Sequence, residues 1–283
     1  MAGADRATAP GDIRTAASGV VRAAAIGSAC AAAPGGFTPR PAGRTPTLWC
    51  WDGLVPGRLI RRYQRFLADV ELEDGGRITA HCPNSGSMLG CDRPGARVYL
   101  SRNGEPRRRT AFTWEMIRVG RVWVGINTHH ANRLVNAALE QRLIPAVGGY
   151  DRVRREVRWG SRSRFDFLLE GAREDCFVEV KNVTLAAGGV AAFPDAVTLR
   201  GRKHLEDLAR LVCLRRRKPA RAVILYIVQR SDAAVLRPAE EIDPEYAAAL
   251  RRAVARGVTP LVIRTRVTPK GTERLAPGRL ILD

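Results

Sequence analysis

Asp166, Glu179 and Lys181 are the residues of this chain whose types and spacing best suit chemistry. They lie within "SRFDFLLEGAREDCFVEVKNV", residues 163–183, which reads as two strands around a turn. Folded as a hairpin centred between Ala172 and Arg173, the stretch sets Asp166 opposite Glu179. Period-two alternation then sets Lys181 on the face of Glu179, while Val178 and Val180 line the other face. Opposed carboxylates repel across a strand pair unless a positive charge sits between them. A divalent cation with hard oxygen ligands fills that role: Mg²⁺, or Mn²⁺ in its place, keeps several waters and takes further contacts from phosphate. Lys181 would hold or help deprotonate an attacking water and offset charge in the transition state. Glu156, in the preceding "RVRREVR", is either a third carboxylate for the metal or part of a charged edge. The competing reading is an ordinary solvated face, since Glu-x-Lys pairs are common on strands.

Elements that could position such a site follow from the periodicity. Helical spacing at Leu134, Ala138 and Ile144 predicts a helix over 132–144 capped by Thr128 or Asn132. Strands are expected near 151–158, 164–170 and 176–184, then a helix over 199–213 and a buried strand, "RAVILYIVQ", at 221–229. "DPEYAAALRRAVARG" is a helix opened by Asp243-Pro244 and closed by Gly257, and "VTPLVIRTRV" is the last strand. The order αβββαβαβ surrounds the carboxylates. Upstream, "LIRRYQRFLADVELEDGGRITAHCP" reads as two strands about Asp74-Gly75-Gly76, "ARVYLSR" as another, and "TWEMIRVGRVWVGIN" as a hairpin turning at Gly120-Arg121. Five short strands in that space suit a small OB-like barrel.

The chain of 283 residues carries 47 basic and 28 acidic side chains, a net charge of +19. Such an excess attracts polyanions, with an affinity that salt weakens. No apolar run approaches the roughly 18 residues of a spanning helix, so no membrane partner is expected. Lysine occurs only at 181, 203, 218 and 270, so Lys181 stands out in a chain that nearly always uses arginine. Six cysteines at 30, 50, 82, 91, 176 and 213, with no CxxC spacing, read as reduced thiols in a cytoplasm. A zinc site at His81, Cys82 and Cys91 lacks a second half, and buried thiols are the default. His129 and His130 read as capping or packing residues. In residues 1–50, Ala, Gly and Pro make up 26 positions, which predicts a disordered extension. "VVRAAAIGSACAAAPGG" imitates an export signal only faintly, because Arg22 interrupts its apolar core. A start codon assigned too far upstream accounts for the zone equally well.

Contact with nucleic acid is expected at Arg61, Arg62, Tyr63 and Arg65, where cations adjoin aromatic faces. Asn84 and Ser85 lie in "HCPNSGSM", whose backbone amides could cradle a phosphate or simply form a turn. Arg202, Lys203 and His204 open the helix after the acidic strand, and "EPRRRT" at 105–110 is a basic loop.

The three residues in an αβββαβ setting resemble the PD-(D/E)xK nuclease superfamily. More closely, "PGRLIRRYQRFLADV", "HCPNSGSMLGC", "SRSRFDFLL", "FVEVKNVTL", "FPDAVTLRGRKHLEDL" and "VQRSDAAVLRP…IDPEYAAAL" together resemble the sugar fermentation stimulation protein A (SfsA) family, in order over about residues 54–267. The resemblance implies a two-domain α+β and α/β fold, with an N-terminal OB-like β-barrel (51–130) and a restriction-endonuclease-like α/β/α domain with a mixed sheet (131–283). It also implies nonspecific DNA binding, a suspected DNA or RNA nuclease activity, and a name tied to sugar (maltose) utilisation. Two departures stand out. Residues 1–50 have no counterpart in the family pattern, and position 202 is Arg where the family pattern has Gln. DNA or RNA is the expected partner, and a homo-oligomer is compatible with the sequence.

Overall fold

The first strand among the described residues comes from the zone that composition assigns to a disordered extension. β1 (Thr47–Cys50) pairs with a strand near the end of the chain, and Leu48 within it is buried. The computed structural model describes residues 45–104, 109–160 and 163–282, so the rest of that zone and most of the "EPRRRT" loop lie outside the described residues.

β2 (Val55–Tyr63), β3 (Leu67–Leu72), β4 (Arg77–His81), β5 (Arg97–Arg102) and β6 (Phe112–Val119) form a closed barrel. Their order is β4-β3-β2-β5-β6, and a parallel contact between His81 and Thr113 closes the ring. This is the OB arrangement. The run before Asp74 holds two strands rather than one, because the chain reverses at Gln64 and Arg65, with φ of 47° and 64°. Two non-glycine residues in the left-handed region carry no sequence signal for a turn. Cys82, Met88 and Cys91 are buried in the barrel core beside Trp114 and Leu100, and burial pushes the Cys91 thiol up to about 12. That apolar setting fits thiols used for packing.

The hairpin partner β7 (Val122–Gly125) leads directly into α1 (Thr128–Glu140), which starts four residues earlier than the periodicity predicts. Its cap is Asn127, whose side chain accepts from the backbone N–H of His129 and of His130. The hydroxyl of Thr128 donates instead to the Pro83 carbonyl, and Asn132 is free for other use. His130 packs against the rings of Trp49 and Trp51, and burial holds its pKa down to about 3.

The second half runs β8 (Arg152–Trp159), β9 (Ser163–Glu170), β10 (Asp175–Val183), β11 (Ala186–Ala187), β12 (Val190–Phe193), α2 (Leu199–Cys213), β13 (Ala220–Val228), β14 (Val235–Pro238), α3 (Pro244–Ala255), β15 (Thr259–Thr268), β16 (Gly271–Arg274) and β17 (Arg279–Leu280). "VTPLVIRTRV" is therefore not the last strand. β16 receives β1, and β17 joins a small sheet with β11, β12 and β14. The main sheet has the order β15-β13-β10-β9-β8, parallel across β10-β13-β15 and antiparallel across β8-β9-β10. β13 is buried on both faces, which is why it reads as an unbroken apolar run. Leu134, Val135 and Ala138 of α1 cover one face against Val178, Val180 and Leu225. Leu205 and Leu208 of α2 and Leu250 of α3 cover the other against Phe177, Ile224 and Tyr226. The result is three layers, α/β/α.

Barrel and α/β/α layers are not separate bodies. β7 pairs with β15 at Trp123 and Val267, so hydrogen bonding runs from the barrel into the mixed sheet. Residues 43–283 form one unit. Among the described residues no helix is long and apolar enough to cross a membrane.

Candidate active site

The β9–β10 hairpin has the register that its turn predicts, pairing Glu170 with Asp175 and Phe167 with Val178. One step further the ladder stops, and Asp166 takes the place of a backbone acceptor: its Oδ2 accepts the Val180 N–H at 2.7 Å. Asn132 of α1 donates to Asp166 Oδ1 at 2.8 Å. Both carboxylate oxygens are thereby oriented from two layers of the fold. By sequence, Asn132 reads only as a helix cap. A polar residue two positions before the apolar stripe at Leu134 is its only signal.

Glu179 lines the same cleft, meets Lys181 and, from α2, His204, and only 3% of it is exposed. Its Oε1 accepts from Lys181 Nζ at 2.7 Å and contacts His204 Nδ1, while Lys181 Nζ lies 3.2 Å from the same nitrogen. Glu179 Oε2 is buried with no hydrogen-bond partner. Burial pushes Glu179 up, but Lys181 and His204 outweigh it and hold the carboxyl below its ordinary value. Asp166 behaves oppositely: burial first, then the charge of Glu179, raises it to about 6. The two carboxylates therefore titrate apart, as expected where like charges share a desolvated site.

Glu156 stands level with Asp166, since Arg155 pairs with Phe167 and Val157 with Phe165. Its backbone has φ of 54°, and its half-exposed carboxylate pairs with Arg164 at 3.2 Å. Among the described residues no three His, Cys, Asp or Glu side chains are grouped to hold a metal ion. A cation here would have Asp166 and Glu179 as protein ligands, with Oε2 of Glu179 available.

These residues open into a cleft of about 1470 Å³ shared by barrel and α/β/α layers. Of the residues expected to meet nucleic acid, Arg65, Asn84, Ser85, Lys203 and His204 line it; Arg61, Arg62, Tyr63 and Arg202 do not. Arg61 pairs with Asp69 at 2.8 Å and stacks over Tyr63, whose hydroxyl donates to the same aspartate. Arg62 donates to the carbonyls of Arg65, Asn84, Gly86 and Ser87, so it holds two loops together. Asn84 is buried; it donates to the Ile126 carbonyl and accepts from Gly86 N–H. Arg202 pairs at 3.0 Å with Asp243, a fully buried carboxylate that also accepts from Thr198 and Tyr246 N–H at the starts of α2 and α3. Lys203 pairs with Asp207 at 2.7 Å.

The 84–88 loop presents fewer free amides than expected. Met88 N–H donates to Asp195 Oδ2 at 2.8 Å, and the Ser87 hydroxyl donates to the Asp195 carbonyl. A Cβ at Gly86 would lie 2.4 Å from the Asp195 carboxylate, so a side chain there would displace the group that accepts from Met88 N–H. Asp195, just before α2, ties the barrel loop to the α/β/α layers, and no local pattern marks it.

Two family models account for this arrangement. "SfsA N-terminal OB domain" matches residues 60–126, and "Sugar fermentation stimulation protein RE domain" matches 129–271, about half of the chain by itself. The chain belongs to the SfsA family. Curated sugar fermentation stimulation protein homologues from SfsA relatives agree. That of Geobacter sulfurreducens is 53% identical over 78% of this chain and 95% of its own. That of Synechococcus sp. is 48% identical over 82% of this chain and 99% of its own. In fold, the chain is similar to Pyrococcus furiosus SfsA, solved in complex with Ca²⁺, with a TM-score of 0.76 at 24% identity over 83% of this chain and 99% of that one.

Proposed function

We propose that this SfsA-family protein is a divalent-metal-dependent phosphodiesterase acting on DNA or RNA. One observation carries the reading: a buried, unpartnered oxygen of Glu179 belongs to the same cleft as Asp166, in a chain of net charge +19. A buried carboxylate, Glu179, beside a partly buried one, Asp166, that it repels is a poor packing solution and a good Mg²⁺ or Mn²⁺ site. The Ca²⁺ complex of Pyrococcus furiosus SfsA supports a hard-cation site in the family. Asp166 and Glu179 would hold the cation, which when bound supplies Lewis-acid polarisation of a phosphate oxygen and of a water. Asn132 and the Val180 N–H fix the Asp166 carboxylate before any ligand arrives, so no reorientation is needed at the moment of reaction. Lys181, 12% exposed and held by Glu179 and His204, can orient a water and place positive charge beside a pentacovalent phosphate. Free thiols at Cys82, Cys91 and Cys176 support a reducing compartment, the cytoplasm.

A second reading, a nonenzymatic nonspecific DNA-binding regulator of sugar metabolism, is favoured by the Glu156–Arg164 pair, which leaves only two carboxylates for a metal. Cleavage of labelled single- and double-stranded DNA and RNA in Mg²⁺, Mn²⁺ or EDTA separates the two. Metal-dependent cutting that disappears in the Glu179→Ala, Lys181→Ala double variant is the expected result. Binding without cutting in either protein overturns the phosphodiesterase and leaves the regulator.

A further inference from the structure

The arginines that sequence pattern picks out for phosphate are mostly committed to the protein itself. Arg61 is paired to Asp69, Arg62 to four carbonyls, and Arg202 to Asp243. Removing such a group from its partner to meet a ligand costs what the ligand returns. A ligand in the cleft is met at least cost by cations that face it without a partner among the described residues.

Three do. Arg65, Arg158 and Arg200 line the cleft, are exposed, and have no ion pair with a described carboxylate. They come from three elements: the β2–β3 turn of the barrel, the edge strand β8, and the first turn of α2. Each stands on a built support. The Arg65 carbonyl accepts from Arg62 Nη2 at 2.8 Å, which holds its positive-φ turn toward the 84–87 loop. Arg158 pairs with Arg164 across β8–β9, next to the Arg164–Glu156 ion pair. Arg200 sits on a helix start fixed by the Thr198 cap and by buried Asp243. Unpartnered guanidiniums lining one cleft repel one another, and an anion in the cleft removes that repulsion.

We infer that Arg65, Arg158 and Arg200 form a phosphate rail that grips the sugar-phosphate backbone of one nucleic-acid strand across both the barrel and the α/β/α layers. The inference rests on reading the cleft as a nucleic-acid site, and it deepens that reading by saying which residues bind. The barrel then acts as a wall of the site through its β2–β3 turn rather than as a separate binding module. The rail recognises backbone phosphate and carries no base readout.

The test is equilibrium binding of fluorescein-labelled single-stranded DNA, single-stranded RNA and duplex DNA by the full chain, measured by anisotropy in EDTA over a KCl series. Three single variants, Arg65→Ala, Arg158→Ala and Arg200→Ala, are compared with Arg61→Ala, whose guanidinium is already paired. Each rail variant should lower the slope of log K against log [KCl] by about 0.7 to 0.9, the release expected for one phosphate contact. Arg61→Ala should leave the slope unchanged. The polymer whose slope responds to all three variants is the one that occupies the rail. Binding by the parent protein with an unaltered slope in the rail variants overturns the rail while leaving the nucleic-acid reading intact. If the parent protein binds none of the three polymers, both fall. Circular dichroism spectra matching the parent's confirm that the variants are folded.

Discussion

Asp166 and Glu179 share one site but sit on opposite sides of their ordinary carboxylate values, and the reason lies in who neutralises whom. Lys181 and His204 spend their charge and hydrogen bonds on Glu179, which leaves Asp166 with two neutral donors and a neighbouring negative charge. Asp166 is raised to about 6 from 3.8, so it keeps its proton in the folded chain at pH values where the unfolded chain has lost it. That proton contributes stability fully present below about pH 4 and lost as pH rises through about 6, on the order of 3 kcal/mol across the window. Thermal denaturation of the metal-free protein between pH 4 and 8 should show this fall, and Asp166→Asn should flatten it. Lys181 is the complementary case. Lys181→Met leaves Glu179 buried with one fewer counter-charge and should cost roughly 3 kcal/mol in urea unfolding at pH 8. The cost should shrink as pH falls, because the carboxyl, without Lys181 to hold it down, takes up a proton more readily. The double change Glu179→Ala, Lys181→Ala removes both charges and should cost less than the single one, which is what makes it a sound control for cleavage.

Among the elements, the hairpin was the most legible and the ends of the chain the least. The β9–β10 register follows from its turn and alternation alone, because pairing between adjacent strands is a local matter. The α2 limits, 199–213, also match the periodicity, and the Asp243 cap and Pro244 start of α3 are local signals. The reversal at Gln64–Arg65 was invisible because neither residue favours positive φ; Arg62, from the strand before, holds it in place. β1 lacks a local signal for a different reason. "TLWC" follows a long Ala/Gly/Pro-rich tract, and it becomes a strand only because β16, more than two hundred residues later, offers an edge. A chain beginning at residue 51 should therefore unfold at lower urea than one beginning at residue 45, by roughly 2 to 4 kcal/mol, since Leu48 and Trp49 leave apolar contacts over α1. Chemical denaturation of the two chains measures it.

For the molecule as a whole, the barrel and the α/β/α layers share a hydrogen-bonded sheet and a clasp. The sheet crosses at Trp123 and Val267, and the clasp is Asp195 on the 87–88 amide and hydroxyl. Asp195 forms no part of the Asp166–Glu179–Lys181 cluster, so its removal tests the join itself. Asp195→Ala should destabilise by roughly 1.5 to 3 kcal/mol, the range for hydrogen bonds to a charged acceptor. Hydrogen exchange should rise at residues 84–89 and 194–198, with protection of β10 and β13 unchanged. Loss of protection throughout the sheet would instead make Asp195 part of the global fold rather than a clasp.

From the sequence alone come the two-part fold, the hairpin and its register, the carboxylate pair with its lysine, and the basic excess. All of these depend on neighbours in the chain or on composition. Tertiary structure decided what each charged side chain is free to do. Arg61, Arg62 and Arg202 resemble ligand-binding residues by type, but Asp69, four loop carbonyls and Asp243 occupy them. Asn132 and His204 reach the site from helices 34 and 25 residues away from the carboxylates they touch. A charge becomes available to a ligand only when folding leaves it without a partner, and partners distant in sequence are brought together only by the fold.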